Sequence, residues 1–134
     1  MSDSYERTLI RSGAPWEPLV GYARAVRVGP FISVSGSAPV GPDGELVGEG
    51  DAHAQATRCI EVIRDALEKA GASLEHVVRT RMFVTDIEQW PEIGKAHQEA
   101  FGEITPATSM VEVSRLISPG MLVEIEADAI INDD

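Results

Sequence analysis

Glu124, Glu126 and Asp128 alternate along one run of the chain, and a small set of other side chains could work beside them: Arg79, Arg81, Tyr22, Ser35 with Gly36, and Thr108. A carboxylate at hydrogen-bond distance from a water molecule can take its proton as a general base. The same Glu124 in a run of alternating carboxylates could equally be one rung of a polar ladder. Arg81 offers a cation for an anionic ligand, or a cross-strand partner for Glu112, Glu124 or Glu126. Ser35 followed by Gly36 can present a hydroxyl and a backbone N–H to a ligand oxygen. Tyr22 can line a cleft or serve as an interface ring with a satisfied hydroxyl. Thr108 brings a single neutral donor, and neutral hydrogen bonds are about half as strong as charged ones.

Other chemistries are excluded by what stands around these residues. His53, His76 and His97 have no metal-ligand spacing, and Cys59 is the only cysteine beside them. No metal and no cofactor are therefore expected. Cys59 falls on the apolar stripe of a helical run, which predicts a buried, inert thiol. The glycines between Gly36 and Gly50 are not followed by the Gly-Lys-Ser/Thr of a phosphate loop.

The 22 acidic and 11 basic residues leave a formal charge of −11, spread along the chain. Such a field repels phosphates, so no nucleic acid partner is expected. No run of about 18 apolar residues suggests a membrane span, and Met1 to Gly13 lacks the apolar run of a signal peptide. With one cysteine there is no intrachain disulfide, and a cytoplasmic location is the expectation.

The elements that must position these residues read clearly. A length of 134 residues suits a single domain over residues 1–134 with one core. Tyr22 to Val28 and Phe31 to Ser35 read as strands joined by Gly29-Pro30. Gly36 to Gly50, with five glycines and two prolines, reads as the longest loop. A helix is predicted from about Asp51, a possible N-cap, to Ala70, with Gly71 as its stop. Cys59, Val62, Ile63, Ala66, Leu67 and Ala70 form its apolar stripe.

A weaker helix spans about Trp90 to Phe101, with Trp90, Ile93, His97 and Phe101 on one face. Gly94 weakens it by up to about 1 kcal/mol relative to Ala. His76 to Thr85, Ser109 to Leu116 and Leu122 to Ile130 read as strands. Alternation sets Thr80, Met82 and Val84 against Arg79, Arg81 and Phe83, and Val123, Ile125 and Ala127 against the carboxylates. The result is an α+β domain: one sheet, both helices on its apolar face, and a charged face left for water or other subunits. Trp16, between Pro15 and Pro18, is expected to anchor the N-terminal segment.

From Tyr22 to Ile130 the chain resembles the RidA/YjgF (reactive intermediate deaminase) family. The resemblance rests on Tyr22-Ala-Arg-Ala-Val-Arg-Val-Gly, Val34-Ser35-Gly36, Phe83-Val-Thr-Asp86 and the run from Pro106 to Ala127, in this order and spacing. It implies a chorismate-mutase-like fold with a mixed sheet, a homotrimer formed through the sheet's other face, and small-molecule clefts between subunits. It also puts Tyr22 at a pocket tyrosine and Glu124 at the family's glutamate, which positions the attacking water in relatives that hydrolyse imines or enamines. Some relatives carry a ribonuclease label, which the charge argues against.

The family's arginine, which holds a substrate carboxylate, is Thr108 in this chain. Ser37, Met110, Gly94 and His97 stand where relatives often have Gln, Cys, Asn and Tyr. Losing a buried arginine from a carboxylate site costs about 2–5 kcal/mol, roughly thirty-fold to several thousand-fold in binding. The expected substrate is therefore a small imine, enamine or related metabolite other than a standard 2-imino acid. Glu124 is the expected catalytic residue, and Tyr22, Ser35, Gly36, Arg81 and Thr108 the expected binding residues. The alternative is a non-catalytic trimer that binds a small molecule or a protein partner, since a fold does not fix a function.

Overall fold

The computed structural model describes residues 5–132; residues 1–4, part of the Met1 to Gly13 stretch read above, lie outside it, as do 133 and 134. Six strands form one mixed sheet: β1 (Arg7–Ile10), β2 (Ala25–Val28), β3 (Phe31–Ser37), β4 (Val77–Val84), β5 (Ala107–Glu112) and β6 (Val123–Ile130), in the spatial order β1-β2-β3-β6-β4-β5. All neighbours are antiparallel except β4 and β5. The helices are α1 (Trp16–Val20), α2 (Ala52–Lys69) and α3 (Trp90–Phe101). The α+β architecture expected from alternation is present, with β6 at its centre. Among the described residues no helix is long and apolar enough to cross a membrane.

α2 starts where the Asp51 carboxylate accepts from the Ala54 N–H at 3.0 Å, meeting one of the donors a helix start leaves unpaired. It stops at Gly71, whose φ of 88° costs a glycine little. The Arg27 guanidinium reinforces the stop by donating to the Ala70 carbonyl at 2.6 Å. Ala56, Cys59, Ile63 and Leu67 of α2 are fully enclosed against Val34, Ile125 and Ala127 of the sheet. Ile60 joins that stripe, while Val62 lies half out of it.

α3 packs beside α2 through Ile93, Ala96 and Phe101. Trp90, expected on that face, is 60% exposed. It occupies the first turn, before the helix settles on its neighbour, and Ala96 fills the contact. Two further differences lie at the start of the chain. Arg7–Ile10 adds an edge strand, and the anchor of this region is Glu17, not Trp16. Glu17 is almost fully buried and accepts from the Ser12 hydroxyl and backbone N–H, while Trp16 is 46% exposed. A side chain that satisfies backbone donors is held more firmly here than an indole with no pocket.

Gln55, fully buried on α2, ties the two long loops to the domain. Its amide nitrogen donates to the Gly48 and Gly120 carbonyls at 3.1 and 2.9 Å, and its oxygen accepts from the Leu122 N–H at 2.7 Å. Both ends of the side-chain amide are thus used, so the loops before α2 and before β6 share one fixed point.

Candidate functional site

Glu124 opens β6 on the face away from the helices. Its neighbours Val123 and Ile125 are fully buried on the other face, so the period-2 pleat sends its carboxyl outward. There it meets β3, whose pairing with β6 shifts between Val34 and Ser37. A bulge re-aims the residues within it, and Gly36 lies beneath the carboxyl. A Cβ on Gly36 would stand 2.8 Å from Glu124 Oε1 and 2.9 Å from Cδ. Only a glycine leaves room for this approach.

The next strand supplies a cation. Arg24, immediately before β2, donates from Nη2 to the Gly36 carbonyl at 2.5 Å, and its guanidinium carbon lies 6.0 Å from the Tyr22 ring centroid. The Arg24 Nε is buried without a partner. Ser35 is turned the same way: its hydroxyl donates to the Ala23 carbonyl at 2.7 Å and its N–H to the Arg24 carbonyl at 3.0 Å. Burial raises the proton affinity of Glu124, Arg24 lowers it, and Glu126 raises it again, with a net shift above the ordinary glutamate range. A half-buried carboxylate that has become more basic suits proton abstraction.

Arg81 lies on the same face but is engaged. Its Nη1 reaches Glu126 Oε1 at 3.2 Å and Asp128 Oδ2 at 3.3 Å, and Asp128 also accepts from the Ser33 hydroxyl at 2.9 Å. The cross-strand pairing weighed for Arg81 is thus what the geometry holds, with Glu126 and Asp128 as partners. Both ion pairs are partly exposed and contribute little stability.

Thr108 lies on the other side. In the parallel β4–β5 register it pairs with Thr80, which faces the helices and is fully buried. The two hydroxyls are 2.6 Å apart, and Thr80 Oγ1 is 2.8 Å from His97 Nε2 on α3. The His97 ring rests on Phe101 with centroids 4.7 Å apart, and burial lowers its basicity. Within one chain, then, Tyr22, Ser35, Gly36 and Glu124 are brought together, Arg81 sits along the same face, and Thr108 does not join them.

Two open cavities flank this arrangement. One of about 450 Å3 is lined by Tyr22 and Ser35 together with Arg7, Arg11 and Glu17. The other, about 730 Å3, lies at the loop before β6 beside Thr85, Arg115 and Ser118. Neither is lined by Glu124, whose carboxyl stands on the open sheet face. The chemistry of Glu124 is the better guide to the site than either volume. Among the described residues no cluster of histidine, cysteine and carboxylate side chains could hold a metal.

A family model described as Endoribonuclease L-PSP matches residues 13–131. The chain belongs to the RidA/YjgF family. A Mycobacterium tuberculosis member of the YjgF/YER057c/UK114 family is 50% identical in sequence with a TM-score of 0.86, covering 94% of this chain and all of that one. A RutC family protein of Pyrococcus abyssi is 42% identical over 114 residues, 84% of this chain and 88% of the relative. The 3-aminoacrylate deaminase RutC of Acinetobacter baylyi is 34% identical over 121 residues, 90% of this chain and 94% of the relative.

In this RidA/YjgF chain Arg24 is the residue that reading the sequence passed over. The signal was available: Arg24 follows Tyr22 by two, so alternation puts both on one face. What alternation does not reveal is that the bulge in β3 turns the Gly36 carbonyl toward the guanidinium. The Thr108–Thr80–His97 chain was hidden for a similar reason, because Thr80 counts as a core position and His97 as a helix-face position until α3 is docked.

Proposed function

We propose that this RidA/YjgF chain hydrolyses a small imine or enamine that carries no carboxylate, with Glu124 as the base. The observation that supports this most directly is the half-buried Glu124 carboxyl, seated on Gly36 beside Arg24 with a raised proton affinity. Glu124 takes a proton from water, the water oxygen bonds to the carbon of the C=N group, and the proton passes to the nitrogen. The new hydroxyl then gives its proton to the nitrogen as the C–N bond breaks, leaving a carbonyl compound and ammonia or an amine. An enamine first takes a proton on carbon and loses one from nitrogen to become the imine. Tyr22 and the Ser35-Gly36 step line the ligand's approach.

The relative named 3-aminoacrylate deaminase supports the reaction class. Thr108, which stands at the arginine position of the resembled signature, argues against its anionic substrate. Glu124 and Thr108 lie on opposite faces of the sheet, so they flank one ligand only when Thr108 comes from a second copy. A homotrimer with clefts between chains is therefore part of this reading, as is a cytoplasmic location for a chain whose one cysteine is buried and free.

The test follows the decay of enzymatically generated 2-iminobutanoate and of several uncharged imines, with semicarbazide trapping. Faster loss of uncharged imines, abolished in Glu124→Gln, is the expected result. Gain of 2-iminobutanoate activity in Thr108→Arg would show an intact cleft retuned by that position. A second reading, non-catalytic binding of a small molecule or partner, is favoured by the absence of Glu124 from both cavities. It takes over if neither protein accelerates any imine.

A further inference from the structure

Arg24 has three nitrogens and an unusual distribution of partners. Nη2 is committed to the Gly36 carbonyl, Nε is sealed from solvent with nothing to bond, and the plane lies near the Tyr22 ring. A buried N–H without a partner costs about 1–3 kcal/mol, so a structure that retains one calls for an explanation. Gly36 provides it. The peptide that Arg24 holds is the one on which the Glu124 carboxyl rests, at a distance that excludes any side chain.

We propose that Arg24 is a positioning residue for Glu124: it fixes the peptide beneath the carboxylate and supplies the positive charge that the carboxylate faces. It does so without forming a direct ion pair, which would occupy the oxygens that a water molecule needs. Two cations of this face are thus engaged by the protein itself, Arg24 by the Gly36 carbonyl and Arg81 by Glu126 and Asp128. This role of Arg24 rests on, and extends, the reading of Glu124 as the base given above.

The groups around Glu124 are few. Arg24 approaches from the segment before β2 and Glu126 lies along its own strand. Phe83 pairs with it from β4 and carries no charge. Cys59 senses it through the sheet from α2, and burial keeps that thiol protonated. Arg24 is the cation of the set.

The test is a carbon-detected NMR titration of the Glu124 side chain in the native protein, in Arg24→Gln and in Arg24→Lys. The Glu124 midpoint is expected to rise by about half to one unit in Arg24→Gln, less than the 1–3 units of a close pair because the site is half-exposed. It should return most of the way in Arg24→Lys. The acid limb of the kcat/KM profile should move by the same amount. A midpoint unchanged in a folded Arg24→Gln overturns the proposal.

If Arg24→Gln does not fold, the isosteric Glu124→Gln serves instead, read at the Arg24 Nε–H resonance. A shifted signal supports the coupling and an unmoved one overturns it. The titration needs no turnover. A shifted midpoint in a protein that hydrolyses no imine would therefore retire the function while leaving the role of Arg24 intact.

Discussion

The hydroxyl of Thr108 stands 2.6 Å from that of Thr80, on the side of the sheet opposite the Glu124 carboxyl. Thr80 is thereby the middle of a chain that ends on His97. Burial lowers the basicity of His97 and so favours the neutral ring, one of whose nitrogens can accept. Which ring nitrogen carries the proton decides whether the exposed Thr108 hydroxyl is turned outward as donor or acceptor.

Thr80→Val keeps the shape of the side chain and removes the middle of this chain. It should destabilise the fold by about 1–3 kcal/mol, the cost of an unpaired buried polar group. Thr108→Val, at the exposed end, should cost less than about 1 kcal/mol. Urea unfolding of the two variants checks the order, and equal losses would show that Thr80 gains nothing from His97.

Gly36→Ala separates folding from chemistry. The added methyl meets the far end of the flexible Glu124 side chain, not backbone. The carboxyl can swing aside, so the thermal midpoint should fall by only a few degrees, corresponding to about 1 kcal/mol. Imine hydrolysis should drop at least tenfold, because the base has left its seat. Calorimetry with the trapping assay decides it; retained turnover would remove Gly36 from the site.

The raised proton affinity of Glu124 has a consequence for stability. A carboxyl that binds its proton more tightly when folded favours the folded state below the ordinary glutamate pKa, about 4.3. That contribution is lost as pH rises through the higher folded-state value. Glu124→Gln should therefore gain stability relative to the native protein on going from pH 4 to pH 7. A stability difference that stays flat across denaturation curves at both pH values would contradict this.

Gln55→Leu leaves the Gly48 and Gly120 carbonyls and the Leu122 N–H without their partner. A loss of at least about 2 kcal/mol is expected. Hydrogen exchange should speed up in both tethered loops together, since one side chain holds them. Faster exchange in one loop alone would show that the other has a separate anchor.

Much of the fold was legible because it depends on local period and punctuation. Alternation in residues 123–128 and 79–84 separated a core face from a charged one, and Asp51 and Gly71 bounded α2 because capping is a short-range matter. The anchoring of the N-terminal segment was not legible: Trp16 drew attention by size, whereas Glu17 is held by Ser12, five residues away across a turn. Trp90 was misplaced for a related reason, since spacing alone does not say where a helix first touches its neighbour.

The candidate site divides in the same way. Sequence alone determined the family, the face on which Glu124 and Arg81 stand, and the absence of an arginine at residue 108, because residue type and a period of two suffice for these. Tertiary structure decided which charges meet. The β3–β6 register brings Gly36 under Glu124, and the docking of α3 gives Thr80 its imidazole. Arg24 serves that carboxylate while Arg81 is held by Glu126 and Asp128. Those outcomes depend on distances of a few ångström between strands distant in sequence, where a one-residue bulge redirects a side chain and no local pattern records it.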